Sequence, residues 1–150
     1  MTQSLINIPV HFVFSTKNRR CWIKSDIENE LYQYICGICR NLGSPVIQIN
    51  GVEDHVHILL CLGRTITICK LISEIKSNSS RWIKSKGEDY RDFCWQSGYG
   101  GFAVASMYLE NVIKYVSSQK EHHKRMTFKE ELLGLLKRAN IPYDERYLWD

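Results

Sequence analysis

The chain has 150 residues, 44% of them hydrophobic and 24% charged, with a formal net charge of +4. This composition is ordinary for a globular protein and excludes a largely disordered chain. The length suits one domain with a real hydrophobic core, so we expect residues 1–150 to form a single domain. The sequence shows neither a signal peptide nor an apolar run near the roughly 20 residues that span a membrane. We therefore expect a cytoplasmic protein with no membrane partner.

The first half of the chain predicts a strand, a helix, a hairpin and a second helix. Apolar and β-branched residues favour the strands, while helical spacing of apolar residues and suitable capping residues favour the helices. The predicted elements are a strand over 6–16, a helix from Ser25 or Asp26 to about residue 42, strands over 46–50 and 56–62, and a helix from Thr65 or Thr67 to about residue 86.

The second half predicts two short strands followed by two helices. A hairpin that alternates with helices is typical of an α+β ferredoxin-like sandwich, an antiparallel sheet with helices on one face, and we predict this fold class. The predicted elements are strands over 93–95 and 102–105 around a glycine-rich turn, a helix from Ser106 to about residue 122, and a helix that begins at a capping box of Thr127 and Glu130 and ends near residue 140.

The six cysteines predict reduced thiols, because disulfides are rare in cytosolic proteins. Cys36 and Cys39 have the spacing of a redox pair, but they lie inside a helical pattern, and no second pair completes a zinc site. We expect both to be small buried side chains.

Two histidines, His55 and His57, stand one residue apart at the head of an apolar run that predicts a buried strand. Side chains two apart on a strand share a face, so the imidazoles should lie side by side. Such a pair is either a costly burial of two polar rings or half of a metal site. His11, inside the first predicted strand, fits a core or edge position better than a ligand position.

The excess positive charge is concentrated in one segment. Residues 64–86 hold six basic side chains against Glu74 alone, and a second basic cluster, Lys17 to Arg20, follows the first predicted strand. Local basic patches of this kind suit a phosphate backbone, although a solvated helix face explains the charge equally well.

In the helix predicted from Ser106, uncharged polar residues follow one another at steps of three and four beside the apolar stripe. Tyr115 and Gln119 therefore project from adjacent turns, where one offers a hydroxyl and the other a carbonyl oxygen. Without the histidines, an ordinary polar ridge would be the better interpretation. The ridge consists of Tyr108, Asn111, Tyr115, Gln119 and His122.

Separate blocks of the chain, in their order, resemble the single-tyrosine HUH transposases, small enzymes of insertion sequences that move as single-stranded DNA. The resemblance covers nearly the full chain and is far more specific than a lone His-x-His. The matching blocks are Phe12-Val-Phe-Ser-Thr-Lys-Asn-Arg19, His55-Val-His57 after Glu-Asp, Trp95-Gln-Ser-Gly-Tyr-Gly-Gly-Phe102, Tyr115-Val-Ser-Ser-Gln119 followed by Lys-Glu-His-His, and Tyr143-Asp-Glu-Arg-Tyr-Leu-Trp-Asp150.

The resemblance implies an enzyme that cleaves and rejoins single-stranded DNA. It implies His55, His57 and Gln119 as ligands of a Mg²⁺ or Mn²⁺ ion. It also implies Tyr115, on a C-terminal helix, as the nucleophile that forms a 5′-phosphotyrosine intermediate. DNA with hairpin-marked ends is the implied partner, and a homodimer is implied because excision needs two cleavages. The resemblance also suggests that each Tyr115 completes the His55/His57 site of the other subunit, but the sequence leaves cis or trans assembly open. Candidate contacts to the DNA backbone are Lys17, Arg19, Arg20, Lys76, Arg81 and Lys84.

Three other interpretations compete with this one. A histidine-triad nucleotide hydrolase also carries alternating histidines on a strand, but its third histidine would stand where this chain has Leu59. A non-enzymatic ferredoxin-like module would bind nucleic acid through its basic patches, and it leaves the coincidence of histidines, tyrosine and glutamine unexplained. A domesticated relative that acts on extragenic palindromes would keep the chemistry and change the biology. The sequence leaves the roles of His122 and His123 open.

Overall fold

The computed structural model describes residues 2–150, and its centre is a four-stranded antiparallel sheet. The strands are β1 (Pro9–Ser15), β2 (Val46–Val52), β3 (His55–Cys61) and β4 (Gly100–Ala103), arranged in the order β2-β3-β1-β4. This order, with a helix after β1 and another after β3, is the ferredoxin-like topology, so the predicted fold class is confirmed. The helices are α1 (Glu28–Asn41), α2 (Ile68–Lys84), α3 (Leu109–Ser117), α4 (Gln119–His122), α5 (Phe128–Arg138) and α6 (Glu145–Leu148).

One face of the sheet is apolar and packs against α1 and α2, as predicted. Successive strand residues point to opposite faces, so the even-numbered positions of β1 and β3 all lie on this side. Burial of such side chains contributes about 25 cal/mol per Å² of apolar surface, which makes this layer the main source of stability. Its strand residues are Val10, Phe12, Phe14, Val56, Ile58 and Leu60.

The opposite face of the sheet is covered by the C-terminal helices. Val13 of β1 packs with Leu132 and Leu136 of α5, and Leu59 of β3 packs with Val116 of α3. The helices that follow the sheet in the sequence therefore return over the face that carries the odd-numbered residues of β3.

The long helix predicted from Ser106 is interrupted. A 3-10 turn over Ser106–Tyr108 precedes α3, and the helix breaks at Ser118 before α4. The hydroxyls of Ser117 and Ser118 both donate to the carbonyl of Lys114, while the Ser117 carbonyl accepts from the side chain of Asn50. These side-chain bonds compete with the backbone bonds of the helix and explain the break.

The strand predicted over 93–95 is wrong. Within the described chain, Trp95 forms only an isolated bridge to Thr16, and Phe93 lies outside every strand. Both aromatic rings are buried and pack edge to face with their centroids 4.9 Å apart, and Trp95 Nε1 donates to Ser79 Oγ at 2.9 Å. Side-chain packing holds this segment where a backbone ladder was expected.

The predicted helix starts at Thr67 and Thr127 are confirmed. The Thr67 side chain accepts from Lys70 N at 3.1 Å, and that of Thr127 accepts from Glu130 N at 3.3 Å. Across residues 2–150, no helix combines the length and the apolar character needed to cross a membrane.

The cysteines of the described chain are free thiols, as predicted. In α1, Cys39 is buried and Cys36 is half-buried. Burial raises the pKa of Cys39 to about 12, so this thiol stays protonated at neutral pH and behaves as a small core side chain.

Candidate active site

The β2–β3 hairpin places both histidines on the face that the C-terminal helices cover. Val52 pairs with His55 across a two-residue turn. Gly51 is required in this hairpin, because a Cβ atom there would lie 2.3 Å from the His55 carbonyl oxygen. His55 and His57 are fully buried, and their ring centroids lie 5.2 Å apart. The predicted common face of the two imidazoles is confirmed.

A partner behind each imidazole holds its Nδ1 atom. His55 Nδ1 lies 2.6 Å from Asp54 Oδ1, and His57 Nδ1 lies 2.7 Å from His11 Nε2. Because an ionised carboxylate only accepts, the His55 Nδ1 atom carries the proton, and in the neutral ring the Nε2 atom keeps a lone pair. This Nε2 atom is buried and has no hydrogen-bond partner among the described residues. An imidazole whose Nδ1 atom is held by a carboxylate, and whose Nε2 atom has no partner, is typical of a metal ligand.

Glu131 of α5 and His123 complete a buried cluster with the histidine pair. Glu131 is 2% exposed, and its Oε1 atom lies 2.9 Å from His57 Nε2 and 3.3 Å from His55 Nε2. His123 places its own Nε2 atom 2.9 Å from the same oxygen. Each of the four residues offers a ligand atom within 4.8 Å of the others, which is the composition and spacing of a metal site.

Gln119 borders this cluster through His123. It is fully buried, its Oε1 atom lies 3.1 Å from His123 Nε2, and its Nε2 atom donates to the Tyr115 carbonyl at 3.3 Å. The Nδ1 atom of His123 donates to the Met126 carbonyl at 2.8 Å, so in the neutral ring the Nε2 atom holds a second inward lone pair.

The residues of this cluster fit a metal ion. The Nε2 atom of His55 is buried without a hydrogen-bond partner among the described residues, and the Nε2 atom of His123 lies beside the same carboxylate oxygen of Glu131. Gln119 adds a carbonyl oxygen next to His123. Imidazole nitrogen combined with carboxylate and amide oxygen suits Mn²⁺ and also accepts Mg²⁺.

Burial and mutual contact shift the pKa values of the cluster in opposite directions. Burial lowers the pKa of His57 to about 4 and that of His11 to about 3, so both rings are neutral at pH 7. Burial alone would also lower the pKa of His55, but the neighbouring carboxylates of Asp54 and Glu131 outweigh it and raise that pKa. For Glu131, burial favours a raised pKa, yet the histidine bonds hold it well below its ordinary value, so the carboxyl is ionised.

Tyr115 of α3 reaches the same cluster. Its hydroxyl donates to Glu131 Oε2, and its ring lies edge-on to the His57 ring with the centroids 5.8 Å apart. Burial raises the pKa of Tyr115, and the neighbouring carboxylate raises it further, so the phenol is protonated in the resting protein. The ring of His122 lies 4.8 Å from that of Tyr115. Tyr115 therefore lies beside the pair of His55 and His57 of its own chain.

Sequence reasoning missed Glu131 and assigned no role to His123. His123 stands four residues beyond Gln119, a spacing that would have added it to the polar ridge. Glu131 lies between Phe128 and Leu132 on the apolar stripe of α5, where a charged residue is costly to bury without partners. A carboxylate at a core position of an amphipathic helix was the available signal.

A cleft of about 700 Å³ opens beside the buried cluster. His123 and Asp54 border the cleft on the cluster side, and Phe128 lies in its wall. Lys124 and Arg125 line the same cleft, so its rim carries basic side chains next to the metal-type ligands.

The basic residues singled out in the sequence lie on two sides of the sheet. Lys17 and Arg20 are exposed in the loop after β1, which ends at Ser15 opposite His55. Arg81 and Lys84 are exposed on α2, the helix that covers the opposite face. The first group therefore follows the strand end that pairs with His55, whereas the second group lies across the sheet from the cluster.

Arg19 and Lys76 differ from the other basic residues in their surroundings. Arg19 adopts a φ of +56°, its guanidinium lies 5.7 Å from the Trp149 ring centroid, and its Nη1 atom is buried without a hydrogen-bond partner in residues 2–150. Lys76 is turned inward, and its ammonium donates to the carbonyls of Gln96, Ser97 and Gly98 at 2.8, 3.2 and 2.7 Å. Burial lowers the pKa of Lys76 to about 8.

Comparison with known proteins agrees with the resemblance noted in the sequence. Residues 4–119 match the family described as Transposase IS200 like, and no curated protein matches the chain. A Deinococcus radiodurans protein assigned as a transposase has the same fold with a TM-score of 0.62 and 19% identity, over 79% of this chain and 98% of its own. A REP-associated tyrosine transposase bound to a REP hairpin also gives 0.62, with 16% identity over 82% of this chain and 73% of its own. The chain belongs to the IS200-like transposases, enzymes that act on DNA.

Proposed function

We propose that the protein cleaves and rejoins single-stranded DNA at hairpin-marked ends through a covalent 5′-phosphotyrosine on Tyr115. The observation that carries this proposal is the contact between the Tyr115 hydroxyl and a buried cluster of three imidazoles and a carboxylate. Phosphodiester cleavage requires an oxygen nucleophile and stabilisation of the phosphate charge; Tyr115 would supply the first, and a cation held by the cluster would supply the second. The hairpin bound by the REP-associated relative supports the choice of substrate.

In the proposed reaction the phenolic oxygen of Tyr115 attacks the phosphorus, and the bond from phosphorus to the 3′ oxygen breaks. Tyr115 loses its proton, the departing 3′ oxygen gains one, and the 5′ end stays attached to the protein. Because the phosphotyrosine link retains the bond energy, a 3′ hydroxyl reverses the attack and rejoins strands without ATP.

His55, His57 and Gln119 are the proposed ligands of a Mg²⁺ or Mn²⁺ ion. When bound, such an ion supplies Lewis-acid stabilisation of the charge on the phosphate oxygens. The bond of His55 to Asp54 and that of His57 to His11 orient the two imidazoles, which supports a ligand role for both rings.

We propose that the loop over Lys17 to Arg20 holds the DNA backbone near the reacting phosphate. Two features of Arg19 support this role. Its Nη1 atom has no hydrogen-bond partner among the described residues, and its backbone adopts a left-handed conformation. A chain of ring contacts connects the loop to the cluster. The Arg19 guanidinium lies over the Trp149 ring. The ring centroids of Trp149 and Phe128 are 6.4 Å apart, and those of Phe128 and His55 are 4.7 Å apart.

The exposed Arg81 and Lys84 are proposed contacts to a more distant part of the same DNA, such as a hairpin stem, because α2 lies across the sheet. Lys76 contributes by holding the loop of residues 96–98, since its ammonium hydrogens are already donated to that loop. Neutralising Arg81 and Lys84 should weaken hairpin binding and reduce its salt dependence.

We further propose that the protein acts as a homodimer. Excision of a DNA segment needs two cleavages, and each chain provides one Tyr115. Because Tyr115 already meets the histidines of its own chain, each subunit contributes one complete site. Light scattering on the protein with and without hairpin DNA tests this, and a persistent monomer during strand exchange would contradict it.

A covalent capture experiment tests the central proposal. The protein is incubated with Mn²⁺ and single-stranded hairpin DNA, taken both from insertion-sequence ends and from extragenic palindromes, and run on a denaturing gel. We expect a protein–DNA band from the wild type and none from Tyr115→Phe. Tyr108→Phe, which removes an exposed hydroxyl from the same segment, should keep the band. Equal bands from Tyr115→Phe and wild type would rule out this nucleophile.

The same gel distinguishes the competing functions. Hairpin binding without a covalent band from the wild type would favour the non-enzymatic module. A band with extragenic palindromes alone would favour the domesticated relative. His57→Ala should abolish cleavage and preserve much of the DNA binding. Strong residual cleavage would contradict the proposed metal site.

A further inference from the structure

Glu131 is a buried carboxylate for which the proposed reaction so far has no use. It projects from α5 between Phe128 and Leu132, both of which are buried in the apolar layer over β1. An ionised carboxyl at such a position is strongly unfavourable unless charge or hydrogen bonds compensate it.

The two oxygens of Glu131 have different surroundings. Oε2 accepts from the Tyr115 hydroxyl. Oε1 lies within 3.3 Å of the Nε2 atoms of three imidazoles, and two of these rings hold their Nδ1 atoms on the far side, against Asp54 and the Met126 carbonyl. The Nε2 atom of His57 can donate to Oε1, because its Nδ1 atom can accept from His11. Oε1 is thus surrounded by three nitrogen atoms of the kind that bind metal ions.

The position of Glu131 is set by packing on both sides. Thr127 caps the first turn of α5, and its carbonyl accepts from Glu131 N at 3.0 Å. Leu132 and Leu136 of the same helix pack against Val13 of β1. The carboxylate is therefore held in place by the fold, as expected of a ligand rather than of a mobile surface residue.

We infer that Glu131 and His123 are additional ligands of the proposed cation, and that Glu131 also positions the nucleophile by holding the Tyr115 hydroxyl with its second oxygen. This inference rests on the proposed function and extends the ligand set beyond His55, His57 and Gln119. The Glu131 carboxylate then connects the metal site to the tyrosine: its Oε1 atom would bind the ion, and its Oε2 atom orients the phenol. Glu131 is a ligand and a positioning residue, while Tyr115 remains the reacting group.

Metal binding without DNA tests the inference by a readout that does not depend on catalysis. The six-line EPR signal of free Mn²⁺ is titrated with wild type, Glu131→Gln, Glu131→Asp and His123→Ala. We expect Glu131→Gln and His123→Ala to weaken Mn²⁺ affinity by at least about 10-fold. Glu131→Asp, which keeps a carboxylate, should restore part of the lost affinity. Glu130→Gln is the matched control, because Glu130 is the exposed neighbour on the same helix and should leave affinity unchanged.

Two further measurements separate misfolding and failure of the parent proposal from failure of the inference. Thermal unfolding in EDTA should show that Glu131→Gln is folded, since it removes a buried charge while keeping the side-chain shape. At saturating Mn²⁺, Glu131→Gln should form the covalent DNA band more slowly than Glu130→Gln, because the tyrosine is no longer held by a carboxylate.

The outcomes are distinct. If the wild type binds no Mn²⁺, the metal part of the proposed function fails, and the inference fails with it. If the wild type binds Mn²⁺ and Glu131→Gln binds it equally well, the inference is overturned while the proposed function stands. Loss of affinity in Glu131→Gln and His123→Ala, with partial recovery in Glu131→Asp, supports it.

Discussion

The two faces of the sheet are built by the same strands and have opposite chemistry. In β3, Ile58 and its even-numbered neighbours pack into the apolar layer under α1 and α2, whereas His55 and His57 point to α5. Adjacent residues of a strand point to opposite faces of the sheet, so neighbouring residues of β3 belong to different layers. The apolar face stabilises the fold, and the polar face accepts buried imidazoles and a carboxylate at a cost in stability. Comparing the two faces therefore separates stability from chemistry within one strand.

The largest expected effect comes from Ile58→Ala, set against His57→Ala one position away. Ile58 is fully buried, so its truncation should lower the free energy of unfolding by about 2 to 5 kcal/mol. In metal-free protein, His57→Ala should cost less, because it also removes a desolvated polar ring. Urea denaturation measures both. An equal loss from the two variants would contradict the division of the faces.

Mn²⁺ should stabilise the protein through the polar face only. At a free concentration of 100 times its Kd, an ion that binds only the folded state adds about 2.7 kcal/mol to the free energy of unfolding. His57→Ala should lose this gain, and Ile58→Val, a small change on the apolar face, should keep it. Thermal unfolding with Mn²⁺ and then with EDTA measures the effect. A full Mn²⁺ response in His57→Ala would place the ion elsewhere.

Gly51→Ala should damage the hairpin that carries the histidines. Its Cβ atom would lie 2.3 Å from the His55 carbonyl oxygen, so the backbone must shift, at a cost of about 1 to 3 kcal/mol. Mn²⁺ affinity should fall at the same time, because His55 moves. Gly37→Ala is the control: apart from its chain neighbours and the backbone of its own helix, no heavy atom of the described chain lies within 4 Å of its Cβ position in α1, and the change should stabilise the helix slightly. Unchanged stability and affinity in Gly51→Ala would show that the hairpin adapts.

The smallest expected effect compares two helix caps. Thr67→Ala at the start of α2 and Thr127→Ala at the start of α5 should each lower the free energy of unfolding by about 1 kcal/mol, because each removes a side-chain cap. Only Thr127→Ala should also weaken Mn²⁺ binding, since α5 carries Glu131. Chemical denaturation and the EPR titration measure the pair, and equal Mn²⁺ affinities would show that α5 holds Glu131 without its cap.

Elements with a strong local pattern were predictable, and those held by distant side chains were not. The strand that carries His55 and His57 and the cap at Thr67 follow from alternation and capping chemistry. The break at Ser118 escaped prediction because it depends in part on Asn50, which lies far away in the sequence. The strand predicted at Trp95 was wrong for the same reason, because a hydrogen bond from its indole nitrogen to the distant Ser79 hydroxyl holds that residue.

By itself, the sequence determined the strand, helix, hairpin and helix of the first half of the chain and the shared face of His55 and His57, because each depends on periodicity within one element. Only the tertiary structure decided that Glu131 joins the histidines and the tyrosine, and that Lys76 turns inward. Such contacts depend on how α5 packs over the sheet and how a loop closes on α2, and no pattern within a single element contains that information.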